Sequence, residues 1–151
     1  MAQIRKMDCQ VLIKSSADKF YDAFRTKARY LPKMSNGLIA YVKLVQGDWN
    51  SVGTVRLWSY ASEGKSQMVK EMFEEVDEEN KRMVFKLVEG DLLHYYGSWR
   101  NILNITSTAE GSLVKWTMEF EKRNEDIPDP VEYAASMVAL TKNIDAYLLN
   151  A

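Results

Sequence analysis

The chain has 151 residues, 46% of them apolar and 27% charged, with a net charge of −1. That length suits one domain covering residues 1–151, with a core large enough to fold alone. The balanced charge excludes a strongly basic nucleic-acid surface, because Lys and Arg are interleaved with Asp and Glu as on a solvated face.

The start, Met1-Ala2-Gln3-Ile4-Arg5-Lys6, holds no apolar run of signal-peptide length. No stretch approaches the roughly 18 apolar residues of a membrane span. With Cys9 as the one cysteine and no internal disulfide possible, the expectation is a cytoplasmic protein without membrane insertion. Met7 to Lys14 reads as a first strand. Ser15 or Ser16 then caps a short helix with Asp18 in its first turn and Phe20 and Phe24 on one face. A second helical piece around Lys27 to Leu31 is closed by Pro32.

Six strand candidates follow at Ile39–Gln46, Thr54–Ala61, Ser66–Val76, Arg82–Glu89, Tyr95–Thr106 and Ser112–Arg123. Turn residues fill the short gaps at Glu63-Gly64, Asp77-Glu78-Glu79-Asn80, Glu89-Gly90-Asp91 and Ala109-Glu110-Gly111. Gaps this short make antiparallel hairpins, since a parallel neighbour needs a longer crossover. The glycine-flanked loop Gly47–Gly53 is longer. It lacks the Gly-Lys-Ser/Thr ending of a phosphate-binding loop, and a strand follows it where a helix should begin. The chain closes with a helix from Val131 to Leu149. Asp129 is its expected cap, Pro130 its first residue, and Glu132 completes a capping box. Tyr133, Met137, Leu140, Ile144 and Tyr147 or Leu148 form one stripe along it.

Strand alternation proposes the inward side chains. These are Val114, Trp116, Met118 and Phe120 in the last strand, Trp99, Asn101, Leu103 and Ile105 before it, and Met83, Phe85 and Leu87 one strand earlier. Arg56, Trp58 and Tyr60 share a face after the glycine loop. In Ser66–Val76 the phase is ambiguous, with Met68/Met72 competing against Val69/Phe73. The pattern alone favours a filled core, because cores and cavities use the same residues. Arg56 and Asn101 are polar exceptions. A buried guanidinium or amide needs partners, so they read either as internal ion-pair and rim positions or as groups that orient a ligand. Tyr60, Tyr95 and Tyr133 offer hydroxyls in the same way. His94 is the sole histidine, so no histidine cluster holds a metal. Its expected place is an exposed loop, and it is a catalytic base only if it reaches a cavity mouth.

Several segments in order resemble one family. They are Ile13-Lys14-Ser15-Ser16-Ala17-Asp18-Lys19-Phe20, Gly47-Asp48-Trp49 with Val52-Gly53, Val76-Asp77-Glu78-Glu79-Asn80-Lys81, Val88-Glu89-Gly90-Asp91-Leu92-Leu93, Glu110-Gly111-Ser112-Leu113-Val114 and Glu125-Asp126-Ile127-Pro128-Asp129-Pro130. Together they resemble the major latex proteins of plants, a branch of the birch-pollen-allergen and pathogenesis-related class 10 superfamily. One departure is Val45-Gln46, where the family often has His-Glu. The resemblance implies an α+β, START-like helix-grip fold. In it a seven-stranded antiparallel sheet wraps a long C-terminal helix, two short helices support it, and a large internal hydrophobic cavity lies between. The inward residues then become the expected ligand contacts: Phe20 and Phe24; Arg56, Trp58, Tyr60 and Met68; Met83 and Phe85; Trp99, Asn101 and Leu103; Trp116 and Met118; Tyr133, Met137 and Leu140.

The function this implies is binding of a small hydrophobic metabolite, hormone, lipid or xenobiotic for storage, transport or defence. No cofactor and no metal are expected, and the chain is expected to be a monomer or weak dimer. The alternative is a cavity enzyme of plant specialised metabolism working by acid/base chemistry, with His94 and Glu71 as candidates. A condensing enzyme in the superfamily relies on a lysine, an acid and a tyrosine. Those positions fall here on Met83, Glu71 and Val69, so two of the three groups are missing.

Overall fold

The computed structural model describes residues 3–62 and 64–151. Met1 and Ala2 at the start, and Glu63 of the expected Glu63-Gly64 turn, lie outside the described residues. The described chain folds as β1 (Arg5–Ile13), α1 (Ala17–Arg25), α2 (Leu31–Met34), β2 (Ile39–Gln46), β3 (Val55–Ser62), β4 (Lys65–Asp77), β5 (Arg82–Gly90), β6 (Tyr96–Thr108), β7 (Gly111–Lys122) and α3 (Val131–Leu149). The strands form one seven-stranded antiparallel sheet in the order β1-β7-β6-β5-β4-β3-β2. β1 and β2 follow one another in the chain yet occupy opposite edges, and α1 and α2 carry the chain between them. Irregularities in register fall at Ile39/Tyr41, Leu44/Gln46, Lys70/Glu71, Phe73/Glu75 and Tyr96/Ser98. Such bulges bend strands and strengthen twist, which lets a sheet curve around a helix. No helix among the described residues is long and apolar enough to cross a membrane.

Local chemistry sets the helix boundaries, and two differ from the sequence expectation. Ser16, not Ser15, caps α1, its hydroxyl accepting from the Lys19 amide at 3.2 Å. Pro32 does not close the second helical piece. A 3-10 turn at Ala28–Tyr30 leads into α2, and Pro32 sits in the first turn of α2, where its missing N–H costs nothing. Asp129 does not cap α3. Its carboxylate pairs with Lys122 at 2.8 Å, so Pro130 stands at the boundary and no side chain caps the helix.

Polar ties on α3 are concentrated in its C-terminal half. Asp145 accepts from the amides of Lys14 at 3.2 Å and Ser15 at 2.9 Å. Asn143 donates to the Ser35 carbonyl at 2.9 Å. The Trp116 indole donates to the Thr141 hydroxyl at 2.9 Å, and that hydroxyl donates to the Met137 carbonyl at 2.8 Å. Small residues at Ala134, Ala135, Ser136 and Ala139 occupy much of the N-terminal half.

Strict alternation on β7 buries Ser112, Val114, Trp116, Met118 and Phe120. Residues Trp99, Asn101, Leu103 and Ile105 of β6 join them beneath the helix. Into this core the sheet also turns an ion pair. Arg56, only 1% exposed, lies opposite Glu71 across the β3–β4 ladder, with Nη2 3.3 Å from Glu71 Oε1. Its guanidinium lies 5.6 Å from the ring centres of Trp58 and Phe73 and 5.8 Å from that of Phe85. Each face offers a cation–π attraction that grows when water is excluded.

Two stability measurements check this account. Gly90 ends β5 at φ 135°, ψ −177°, a region essentially closed to other residues, and a Cβ there would fall against the Met68 carbonyl and 2.7 Å from Val69 Cα. Gly90→Ala is expected to lower unfolding free energy by about 1–3 kcal/mol from backbone strain alone, read by urea denaturation. Glu71→Ala strands a buried charge and should cost about 3–5 kcal/mol. The double variant Arg56→Met/Glu71→Gln removes that charge and keeps an acceptor for Trp58. It should recover most of the loss, and a double variant as unstable as Glu71→Ala would contradict the charge-balance account.

Candidate functional site

Between the sheet and α3 lies a hollow of about 80 Å³. Phe24 and Ala28 close it from the first helical region, and Leu38 and Ile39 from the start of β2. The sheet supplies Arg56, Trp58, Tyr60 and Ala61 from β3, Val69 and Glu71 from β4, Phe85 from β5, Asn101 from β6 and Trp116 from β7. Tyr133, Ser136, Met137 and Leu140 of α3 form the remaining wall. The large cavity expected from the family resemblance is not present in this conformation. Ligand pockets usually run to roughly 300–1,000 Å³. Here bulky rings fill the space: Phe24 meets Trp116 edge-on at 5.3 Å, and Tyr60 meets Tyr133 at 6.0 Å.

The structure brings together ten of the expected ligand contacts on this hollow: Phe24, Arg56, Trp58, Tyr60, Phe85, Asn101, Trp116, Tyr133, Met137 and Leu140. Phe20, Met83, Trp99, Leu103 and Met118 are fully buried but pack around the hollow without lining it. Met68 is 38% exposed on the opposite face of the sheet. The inward phase of β4 is Val69, Glu71 and Phe73, and Arg56 opposite Glu71 holds it there. His94 and Tyr95 are exposed, His94 ending a 3-10 turn at Asp91–His94, and neither lines the hollow. Glu71 does.

Sequence reasoning passed over Ala28, Leu38, Ile39, Ala61, Val69 and Ser136 as wall residues. Ser136 was within reach of it, since it lies three residues from Tyr133 and four from Leu140 on one helix face. Val69 was hidden because Glu71 lowers the apolar score of its own phase. The opposite charges of Arg56 and Glu71 on neighbouring strands were the signal that selects it.

Two hydrogen-bonded groups give the apolar wall its polarity. The Trp58 indole donates to Glu71 Oε1 at 2.8 Å, alongside Arg56 Nη2. Burial pushes the Glu71 carboxyl above its ordinary range, opposed by the Arg56 charge and the Trp58 N–H. Arg56 Nε is buried without an acceptor. On the other side, the Trp99 indole donates to Asn101 Oδ1 at 2.9 Å, and Asn101 Nδ2 donates to the Tyr133 hydroxyl at 2.8 Å. Burial raises both the Tyr133 and the Tyr60 phenols, so each stays a neutral O–H group. Among the described residues no group of three or more His, Cys, Asp or Glu is placed to hold a metal ion.

Comparison with known proteins places this arrangement. Residues 2–151 match the Pathogenesis-related protein Bet v 1 family. MLP-like protein 28 of Arabidopsis thaliana is 34% identical over 148 residues, which are 97% of this chain. The chain spans less than half of the first relatives it matches, 44% of MLP-like protein 28 and 46% of MLP-like protein 34, although it spans 94% of MLP-like protein 43. Ginseng major latex-like protein 151 from Panax ginseng superposes with a TM-score of 0.92 at 33% identity, covering 95% of this chain and 97% of that one. Norcoclaurine synthase from Thalictrum flavum, at 20% identity and a TM-score of 0.82 over 99% of this chain and 88% of its own, shares the fold. A sheet closed by a terminal helix, with the same fold and a third of the residues in common with plant MLP-like proteins, leaves one conclusion: the chain belongs to the Pathogenesis-related protein Bet v 1 family, on its major-latex-protein branch.

Proposed function

We propose that this chain binds a small hydrophobic ligand in the hollow beneath α3, for storage, transport or defence, acting as a monomer or weak dimer in the cytoplasm. The observation that carries the reading is an apolar hollow with few polar groups, among them Glu71 and Tyr133, which are held by hydrogen bonds to the frame. That composition suits enclosure of an apolar body with a few fixed points for orientation. Burying roughly 300 Å² of apolar ligand contributes about 7–8 kcal/mol gross at ~25 cal/mol/Å². Association consumes a large share, leaving micromolar affinity.

A space of about 80 Å³ admits such a molecule only if a wall moves. Support for a moving wall comes from a shallow groove outside the hollow, lined by Leu38, Ala61, Gly64, Glu132, Ala135, Ser136 and Ala139. Leu38, Ala61 and Ser136 belong to both spaces, so the partition between them is one residue thick. On the helix side it is built from small side chains in the half of α3 with fewer polar ties. Outward movement of that half widens the hollow and opens it to the groove.

An apolar fluorescent probe should bind at about one molecule per chain with micromolar Kd. Ser136→Trp places a large ring in the shared partition and should weaken that binding by about tenfold or more, at unchanged far-UV circular dichroism. Failure of the probe and of a broad panel of apolar metabolites to bind would end this reading. Glu71, an acid in the hollow, is the single observation favouring catalysis as a second reading. That reading requires turnover that is lost in Glu71→Ala while ligand binding persists.

A further inference from the structure

The hydrogen bonds around the hollow have a fixed direction, and the direction determines what they leave free. An indole N–H can only donate. The Trp99 indole therefore requires the oxygen of Asn101 at its 2.9 Å contact, which turns the amide nitrogen toward Tyr133 at 2.8 Å. An amide nitrogen also only donates, so the Tyr133 oxygen must accept, and its own hydrogen is directed elsewhere. Among the described residues the Tyr133 hydroxyl accepts this bond and donates none. Trp99 and Asn101 are buried in the sheet, and Trp99 packs edge-on against the Tyr133 ring at 4.9 Å, so the sheet end of this relay is fixed.

The opposite polarity is left at Glu71. The Trp58 and Arg56 donors both converge on Oε1. Oε2 has no partner among the described residues, and Glu71 lines the hollow. Arg56 is permanently charged and pairs with Glu71, which opposes the upward push of burial on the carboxyl and favours the ionised form, in which Oε2 is an acceptor.

We propose that the hollow selects its ligand by polarity at two fixed points: an apolar molecule carrying a hydrogen-bond acceptor, which the Tyr133 hydroxyl holds, and a hydrogen-bond donor, which the free oxygen of Glu71 holds. The ligand class is thus a hydroxylated or N–H-bearing carbonyl or ether compound on a hydrocarbon frame. Trp99 and Asn101 are positioning residues that act through Tyr133. Trp58 and Arg56 play the same part for Glu71. This inference rests on the binding function proposed above.

The test uses four probes of similar size titrated into the full chain and followed by NMR. Ethylbenzene has neither group, acetophenone has an acceptor, indole has a donor, and 3-hydroxyacetophenone has both. In Tyr133→Phe the acetophenone-to-ethylbenzene affinity ratio should fall by about 5–10-fold. Asn101→Leu should lower the same ratio while the hydroxyl remains, because nothing then orients it. In Glu71→Gln the amide oxygen stays with Trp58 and Arg56, and the amide nitrogen takes the place of Oε2. The hollow then presents donors at both points, so the indole-to-ethylbenzene ratio should fall about tenfold and acetophenone should become preferred over indole. Should Glu71→Gln fail to fold, Arg56→Met/Glu71→Gln makes the same comparison without a stranded charge. If all four probes bind but every ratio stays within about twofold of the unmodified chain, polarity selection is wrong and the binding function stands. If none of the four probes binds the unmodified chain, the binding function falls and this inference falls with it.

Discussion

A permanent positive charge has been taken out of water at Arg56, and much of the architecture around the hollow answers that constraint. Removing an ion from water costs several kcal/mol even after the protein relaxes. The compensation comes from Glu71 across the ladder and from the aromatic faces of Trp58, Phe73 and Phe85. These residues sit on three successive strands, β3, β4 and β5. A one-residue slip between β3 and β4 would turn one partner outward and leave the other charge alone, so the pair specifies register as well as packing. The same register places Trp58 opposite Val69 and aims both at the hollow.

The other half of the site is organised by neutral hydrogen bonds. Trp99, Asn101 and Tyr133 form a chain from the sheet to the first turns of α3, while Trp116 and Thr141 tie sheet to helix further along. Ring packing supports both links, with Trp99 stacked on Phe120 at 5.5 Å and edge-on to Tyr96 at 5.0 Å. Between these two ties, three of the rings that line the hollow, Trp58, Trp116 and Tyr133, are held by polar bonds at their edges. They cannot collapse inward without breaking those bonds. Buried indoles and phenols normally find such partners, and here the partners also fix ring orientation.

Much of this was legible in the sequence. Hairpin spacing gave the antiparallel meander, and alternation on β3, β6 and β7 gave the inward faces, including the polar exceptions Arg56 and Asn101. Two of the misreadings share one physical origin, competition from a residue elsewhere in the chain. Asp129 has the chemistry of a helix cap, but Lys122 takes its carboxylate. Met68 has the hydrophobicity of a core residue, but Arg56 draws the Glu71 phase inward instead. Pro32 ends helices in general, yet here it falls where a new one begins. The size of the hollow was not legible at all. It depends on how Trp58, Trp116, Tyr60 and Tyr133 tilt toward one another, and those angles arise only once the sheet has curved.

The uneven tethering of α3 has a kinetic consequence. Fastened near Thr141, Asn143 and Asp145, and toward its first turns by the Asn101–Tyr133 bond, the rod would swing as a lever with its fulcrum at the C-terminal end. For the ligand proposed above, loading and unloading would then share a single barrier, the swing of that lever. How snugly the guest fits the chamber sets how much is bound, and the stiffness of the fulcrum sets how long it dwells. Occupancy and residence time are thereby placed under separate groups of residues, and sequence change can tune one without disturbing the other.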